Sequence, residues 1–342
     1  MTYPTVAVVI LNWNGRTFLE QFLPFLMQTT YPVVKWVVAD NGSTDDSMAF
    51  LHTHYPQVHQ LSLEKNHGFA KGYNLALKQV EASYYILLNS DVEVTPGWIE
   101  PVIELMEKDT GIGACQPKIL SWADKTKFEY AGASGGWIDA LGYAFCRGRV
   151  FDSCEKDEGQ YDDAAPVFWA SGCALFVRSE VFHNLNGFDE TFFAHQEEID
   201  LCWRMQLSGW QVFVCPSSVV YHVGGGSLPK GSRKKIYLNY RNSLMMLFKN
   251  YSVAERLRKI PLRLILDGIS ALQQVFRGDV RYVMIVLRAH AFFYRWLLSS
   301  KEKNIFPANR SVYPHGIYRG SVVWQYFIRK KRRFTEIIGR KG

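Results

Sequence analysis

The chain lacks any apolar run of the length that crosses a bilayer. About 18 uncharged residues or more are needed, and no such stretch occurs in its 342 residues. Close cysteine pairs are also missing: Cys115, Cys146, Cys154, Cys173, Cys202 and Cys215 are spread singly. That spacing argues against a zinc site or a disulfide framework and fits a reduced, cytoplasmic protein. Met1-Thr2-Tyr3-Pro4 has no charged n-region and leads directly into a strand, so no signal peptide is expected. No Gly-x-Gly-x-x-Gly follows the first strand, which speaks against a dinucleotide-dependent dehydrogenase. No Gly-Lys-Ser/Thr loop follows any strand, which removes the common nucleotide triphosphatases. Internal repeats and low-complexity tracts are absent. With 48% apolar and 21% charged residues, the chain is globular with ample core.

What is present is an alternation of strand and helix signals. Residues 6–11, 33–39, 58–63 and 84–88 are short apolar runs that read as buried strands. Helical spacing separates them at 17–28, 47–53 and 70–82. Such an order implies βαβ units and an α/β fold with a mostly parallel sheet. Several strands end on polar residues, as in Asn12-Trp13-Asn14-Gly15, Asp40-Asn41-Gly42-Ser43 and Asn89-Ser90-Asp91. Ligands of open α/β sheets sit at these carboxyl ends. A carboxylate there, Asp91, can work with a hard divalent cation to hold a diphosphate.

Beyond a helix at 97–108 the pattern loosens. Residues 121–166 are rich in Gly, Asp, Lys and aromatics, and short strands with an acceptor-facing surface are expected there. Residues 167–177 read as a strand in which Gly172 permits close approach. Glu197, Glu198 and Asp200 form an acidic cluster at a helix start. Carboxylates this close raise one another's pKa, which suits a general base near neutral pH. Asp200 and Arg204, four apart, read as a supporting ion pair. A last strand is expected at 211–215, and Tyr221-His222 leads into a flexible glycine loop, Gly224-Gly225-Gly226-Ser227. After about Ile236 strand signals vanish. Residues 260–276 and 280–298 read as helices with one apolar and one basic face. Much of the net charge of +7 lies late in the chain, so anionic partners are expected.

The ordered motifs Val9-Ile10-Leu11-Asn12-Trp13-Asn14-Gly15, Val38-Ala39-Asp40-Asn41-Gly42-Ser43-Thr44-Asp45, Asn66-His67-Gly68-Phe69-Ala70-Lys71-Gly72-Tyr73-Asn74 and Leu88-Asn89-Ser90-Asp91 resemble family 2 glycosyltransferases of the GT-A fold. Gly187-Phe188-Asp189-Glu190 and Glu197-Glu198-Ile199-Asp200-Leu201-Cys202-Trp203-Arg204 extend the match. The chain is most similar to the bacterial rhamnosyltransferase-like branch, over roughly Thr5 to Asn242. The resemblance implies an inverting transfer of sugar from a UDP- or dTDP-sugar to a saccharide or lipid-linked acceptor in surface polysaccharide synthesis. It implies donor contacts from Asn12, Asn14, Asp40, Asn41, Asn66, Gly68, Lys71, Asn74, Asn89, Ser90 and Gly172. In particular, it implies that the acceptor-only carboxylate of Asp40 meets the N3–H of uracil or thymine, and that the helix start after Asn66 favours phosphate. Asp91 and His222 would hold Mg²⁺ or Mn²⁺. Position 89 is Asn where the acidic form of the motif has Asp. Glu198 stands at the base position, with Glu197 and Asp200 beside it, where most members carry Asp.

Two domains are expected on this basis: residues 1–242, the GT-A domain, and 243–342, a helical, basic, amphipathic appendage without a motif. The appendage is expected to dock on the inner face of the cell membrane through Leu262, Leu264, Ile265, Leu266, Ile269, Val283, Ile285, Val286, Leu287, Phe292 and Phe293. Arg256, Arg258, Lys259, Arg263, Arg281, Arg288 and Arg295 would flank them, with Trp296 and Trp324 at head-group level. The same faces could instead pack on the first domain or form a homodimer. No nucleic-acid partner is expected. Two rival classes remain. A sugar nucleotidyltransferase would carry a Gly-rich basic loop after the first strand, where Asn12-Trp13-Asn14-Gly15 stands. A non-catalytic nucleotide-sugar or polysaccharide binder would not need the acidic cluster.

Overall fold

The computed structural model describes residues 3–224, 231–299 and 313–339. Its first third alternates as the apolar runs require: β1 (Val6–Asn12), α1 (Arg16–Leu26), β2 (Val34–Asp40), α2 (Ser47–His54), β3 (His59–Ser62), α3 (Gly68–Leu77) and β4 (Tyr84–Leu88). There follow β5 (Val92–Val94), α4 (Glu100–Lys108), β6 (Ile112–Ser121), β7 (Gly136–Asp139), β8 (Ala144–Cys146), β9 (Arg149–Val150), β10 (Ser153–Cys154), β11 (Ala165–Pro166), β12 (Ala174–Arg178), α5 (Ser179–Asn184), α6 (Glu197–Leu207) and β13 (Gln211–His222). The chain continues with α7 (Arg233–Asn250), α8 (Val253–Phe276), α9 (Arg281–Leu298), β14 (Ile317–Tyr318), a π-helical turn (Trp324–Ile328) and α10 (Phe334–Ile338).

The main sheet runs β11-β13-β6-β12-β4-β1-β2-β3, with β5 paired to β13. It is mixed: β12 is antiparallel to both β4 and β6, while β1 pairs in parallel with β2 and β4. All five residues of β4 are buried, because apolar clusters cover both faces of the sheet. Ala174 of β12 pairs with Leu88 of β4. The residues just before β12, Ser171-Gly172-Cys173, therefore land at the carboxyl edge of β4.

β13 is longer than the sequence indicated. Pro216 reads as a strand end, but a register shift between Cys215 and Val219 absorbs it as a bulge, and pairing resumes to His222. His222 then lies opposite Val92 and Ser121. The glycine loop beyond it falls outside the described residues from 225 to 230.

The expected boundary at residue 242 falls inside a helix. α7 runs unbroken through it, and its residues Arg241, Asn242, Lys249 and Asn250 are buried against the first 240 residues. The C-terminal part is not only helical either. β14 joins β7 as the edge of a second sheet, β10-β9-β8-β7-β14. Phe334 packs against Trp137, Phe145 and Tyr161. The short strands of 121–166 thus need the C terminus to complete their sheet.

Candidate active site

At the carboxyl edge of β1 and β2, parallel register sets Asn12 beside Asp40. The buried Asn12 amide donates to Asp40 Oδ1 (3.1 Å), Ser43 Oγ (3.2 Å) and Ser47 Oγ (2.9 Å). Asp40 Oδ2 accepts the Ser43 N–H at 3.0 Å, an Asx turn that ends the strand. Asn89 and Ser90 line a small cleft at the end of β4 with Ile10, Leu19 and Val92.

Other residues expected to hold the donor are engaged within the protein. Asn14, at φ +50°, accepts the Thr44 N–H at 2.7 Å. Asn41 accepts the His67 N–H at 2.9 Å and donates to the Gly68 carbonyl at 3.1 Å. Asn66 accepts the Gly68 N–H at 2.8 Å. Asn74 both donates to the Phe188 carbonyl (2.8 Å) and accepts its N–H (3.0 Å). Lys71 lies 3.4 Å from Glu190 in a half-exposed ion pair. The physical reason is common to all but the lysine. Loop backbone groups must find partners, and short polar side chains supply them.

The start of α3 is also corrected as a phosphate site. The Phe193 carbonyl accepts the N–H groups of Phe69 (2.6 Å) and Ala70 (3.3 Å). Gly68, at φ +79°, is required by this approach, since a Cβ there would sit 2.5 Å from the Phe193 ring.

Asp91 and His222 do come together. His222 Nε2 lies 3.1 Å from Asp91 Oδ1, and both residues are buried. The other ring nitrogen, Nδ1, lies 3.3 Å from Glu129 Oε2. Burial works against a charged His222 ring, but Cys173, Asp91 and Glu129 outweigh it and hold its pKa well above the ordinary value. Burial likewise works against a charged Glu129, yet His222 and the backbone N–H groups of Ala131 and Tyr130 keep its pKa low.

The pair fits a divalent ion. Adjacent ligands of an octahedral ion at about 2.1 Å lie about 3 Å apart, as these two atoms do. Among the described residues no group of three or more His, Cys, Asp or Glu suited to a metal occurs. Two protein ligands are what an ion shared with a diphosphate needs, because phosphate and water supply the rest.

The acidic cluster is built differently. Phe193, His195 and Gln196 all have left-handed φ, at 61°, 70° and 75°. Each such residue costs on the order of 1–3 kcal/mol unless its surroundings enforce it. Here α7 enforces it. Asn242 Nδ2 donates to the carbonyls of Phe192 (2.9 Å), Ala194 (2.8 Å) and His195 (2.7 Å), and Arg241 donates to those of Thr191 and Phe192. Immediately after, α6 opens on Glu197. Among the described residues His195 Nε2, Gln196 Oε1, Glu197 Oε2 and Glu198 Oε2 are buried polar atoms without a hydrogen-bond partner, one on each of four consecutive residues. Burial, reinforced by Glu198 and Asp200, pushes the Glu197 carboxyl well above its ordinary range, and burial raises Glu198 too. Burial and the Lys235 charge lower His195 to about 4, so it is neutral at physiological pH.

Asp200 is the fully buried member of the cluster. It accepts from Arg204 Nε (2.8 Å) and Asn250 Nδ2 (2.8 Å), and Lys249 Nζ lies 3.4 Å away while also binding Asp189. The expected ion pair with Arg204 is present, and its carboxylate is fully engaged.

Gly172 and Cys173 join the two halves. The bare face of Gly172 leaves room between Phe69 and Glu198, whose Cβ would lie 3.7 Å from an added methyl. The next residue, Cys173, places its thiol on His222.

Glu129, Cys173, Asn242 and Lys249 carry no motif and were not singled out from the sequence. The one usable signal was arithmetic: an Asp189 and an Asp200 in apolar surroundings require a cation, and only tertiary packing says that it is Lys249.

Residues 7–137 match the family model described as glycosyl transferase family 2. An N-acetylglucosaminyl-diphospho-decaprenol L-rhamnosyltransferase of Mycobacterium tuberculosis is 28% identical over 286 residues, covering 78% of this chain and 91% of that protein. The low-salt glycan biosynthesis hexosyltransferase Agl10 of Haloferax volcanii is 20% identical over 81% of this chain and 87% of its own. Two solved structures share the fold. GalNAc-T7 has a TM-score of 0.55 at 16% identity over 72% of this chain and 48% of its own, and the mannosyltransferase PcManGT of Pyrobaculum calidifontis has 0.52 at 14% identity over 87% and 89%. Residues 7–137 thus match a family 2 glycosyltransferase domain, the fold is GT-A, and over most of its length the chain is similar in sequence to a rhamnosyltransferase.

Proposed function

We propose that the protein is a metal-dependent, inverting glycosyltransferase. It moves a sugar from a UDP- or dTDP-sugar to a lipid-linked saccharide in bacterial surface polysaccharide synthesis. The observation that carries this is the run His195–Glu198, four adjacent buried polar atoms left without partners on an enforced left-handed loop. Single unpartnered atoms such as Asn12 Oδ1 and Trp137 Nε1 occur elsewhere, but most buried polar groups find partners, and four on consecutive residues mark a place prepared for a substrate's hydroxyls.

Glu198 takes the acceptor hydroxyl's proton as that oxygen attacks the anomeric carbon. The new C–O bond forms on the face opposite the breaking bond to the diphosphate, which leaves with the bonding pair, so configuration inverts. Glu197 stands beside the base and is held protonated by burial and by the Glu198 charge, while burial raises Glu198 itself above the ordinary carboxylate range. Asp200, held by Arg204 and Lys249, fixes the first turn of α6. Asp91 and His222 would hold Mg²⁺ or Mn²⁺, whose charge offsets the one gained by the departing diphosphate. Glu129 orients the His222 ring from its far side. Asp40, Asn12, Asn89 and Ser90 lie where base and ribose would be bound. The lipid-linked acceptor is supported by the mycobacterial relative, whose name states one.

The test is release of UDP or dTDP across a donor panel with and without Mn²⁺, with the product's anomeric configuration read by NMR. Glu198→Gln should keep donor affinity and lose about 10²–10⁴ in turnover. Retained configuration, or an active Glu198→Gln with a dead Glu197→Gln, would overturn the assignment.

A further inference from the structure

The outer sides of α8 and α9 carry a pattern that folding does not use. The buried residues of α8 are Ile260, Arg263, Asp267 and Ala271, and Arg263 pairs internally with Asp267 at 2.8 Å. Arg263 is thus not part of a basic surface, contrary to the sequence reading. Trp296 is likewise withdrawn from the surface, packed on Phe248 and Phe293. The opposite side of α8 shows Leu262, Ile265, Ile269, Leu272 and Phe276, each between 52% and 90% exposed. Their spacing alternates three and four residues, which draws one straight apolar line along a helix.

α9 repeats the device. Met284, Leu287, Tyr294 and Leu298 are exposed at the same alternation, continued through Ala291. Beside that line stand Arg281, Arg288 and Arg295, exposed and seven residues apart. α9 contains no acidic residue at all, and the acidic side chains of α8 are Glu255, paired with Lys259, and the buried Asp267.

We infer that the outer faces of α8 and α9 form a docking surface for an anionic lipid bilayer. A second copy of the chain fits the apolar lines, but symmetric pairing would bring arginine rows together with only Asp279, in the turn before α9, to oppose them. A helix pair that recognises itself needs charges of both signs at its flanks. A single-sign basic row beside an apolar line instead matches the head-group boundary of an anionic leaflet, where chains bury the apolar line and phosphates meet the arginines. This rests on the proposed lipid-linked acceptor for its purpose only, since such an acceptor is confined to that surface.

Flotation of the full chain with phosphatidylglycerol-rich vesicles and with pure phosphatidylcholine vesicles tests it. Salt-sensitive binding to the anionic vesicles alone is expected. Arg281→Gln/Arg288→Gln/Arg295→Gln should weaken it about 100-fold, given about 1 kcal/mol per arginine at such a surface. Ile265→Gln/Ile269→Gln should abolish it, with an unchanged melting temperature because both positions are exposed. Transfer to a short, water-soluble acceptor should be unaffected in both variants; loss of that transfer in the unaltered protein would count against the proposed reaction, not the surface. No flotation on either vesicle overturns the inference. So does a dimer in sedimentation that Ile265→Gln/Ile269→Gln converts to monomer while vesicles remain unbound.

Discussion

The two rims of the active cleft handle polar groups in opposite ways. On the donor rim, Asn14, Asn41, Asn66 and Asn74 spend their hydrogen bonds on neighbouring loops. On the rim formed by residues 193–198, polar atoms are buried and left unpartnered among the described residues, on a backbone forced into left-handed turns. The first rim is rich in motif, and Asn12 Oδ1 stands there as a single unpartnered atom. The second shows only an acidic cluster in the sequence, yet it holds the groups whose properties burial changes most. Motif asparagines here largely build the frame, and the strained loop holds the cluster of unpartnered polar atoms.

The sharpest way to break this contrast is at the donor rim's exception. Asp91→Ala should abolish turnover and the metal-dependent part of nucleotide binding, seen by calorimetry with and without Mn²⁺. Unchanged metal-dependent affinity would return Asp91 to the frame. Next in size, Lys249→Met leaves Asp189 buried without its cation and Asp200 with Arg204 alone. A loss of about 3–5 kcal/mol in denaturant unfolding is expected.

Asn41→Ala and Asn74→Ala should each cost about 1–3 kcal/mol of stability, since loop backbone groups lose their partners. Donor KM should not change. A raised KM at full stability would mean that these side chains serve the donor after all.

The smallest effect separates the two glutamates. Glu197 has a folded-state pKa raised above its unfolded value, so the folded chain binds more protons and stability falls as pH rises through that window. Glu197→Gln lacks this cost. Its gain in melting temperature over the unaltered protein should grow from pH 5 to pH 8, on the order of a few degrees. The acid limb of turnover should stay where it is, because burial and not Glu197 raises Glu198. An acid limb that moves to lower pH would show that Glu197 is charged beside it.

Much of the frame could be read from residue order. β1 to β4 are continuous apolar runs with polar ends, so local pattern fixes them, and Asp91 and His222 were placed together by resemblance. Three features were not legible. β13 passes Pro216 only because a bulge and the neighbouring β6 tolerate it. The start of α3 looked open to phosphate because nothing nearby in sequence announces that the Phe193 carbonyl fills it. The break at residue 242 followed the end of the motifs, whereas α7 follows its own helical periodicity across that point. In each case a distant segment decides, and local signals carry no information about it.

Asn242 and Lys249 have a consequence for how the molecule comes into being. The loop at 193–196 keeps its left-handed turns through carbonyls held by one amide of α7, and one ammonium on the same helix is shared by Asp189 and by Asp200, which Arg204 also binds. A growing chain that has already made its whole main sheet still lacks both. The sheet can close early, but the acid loop can settle only after α7 has left the ribosome and found its seat. Synthesis order therefore separates the two rims: every strand of the main sheet has been made before the helix that holds residues 192–195 in place.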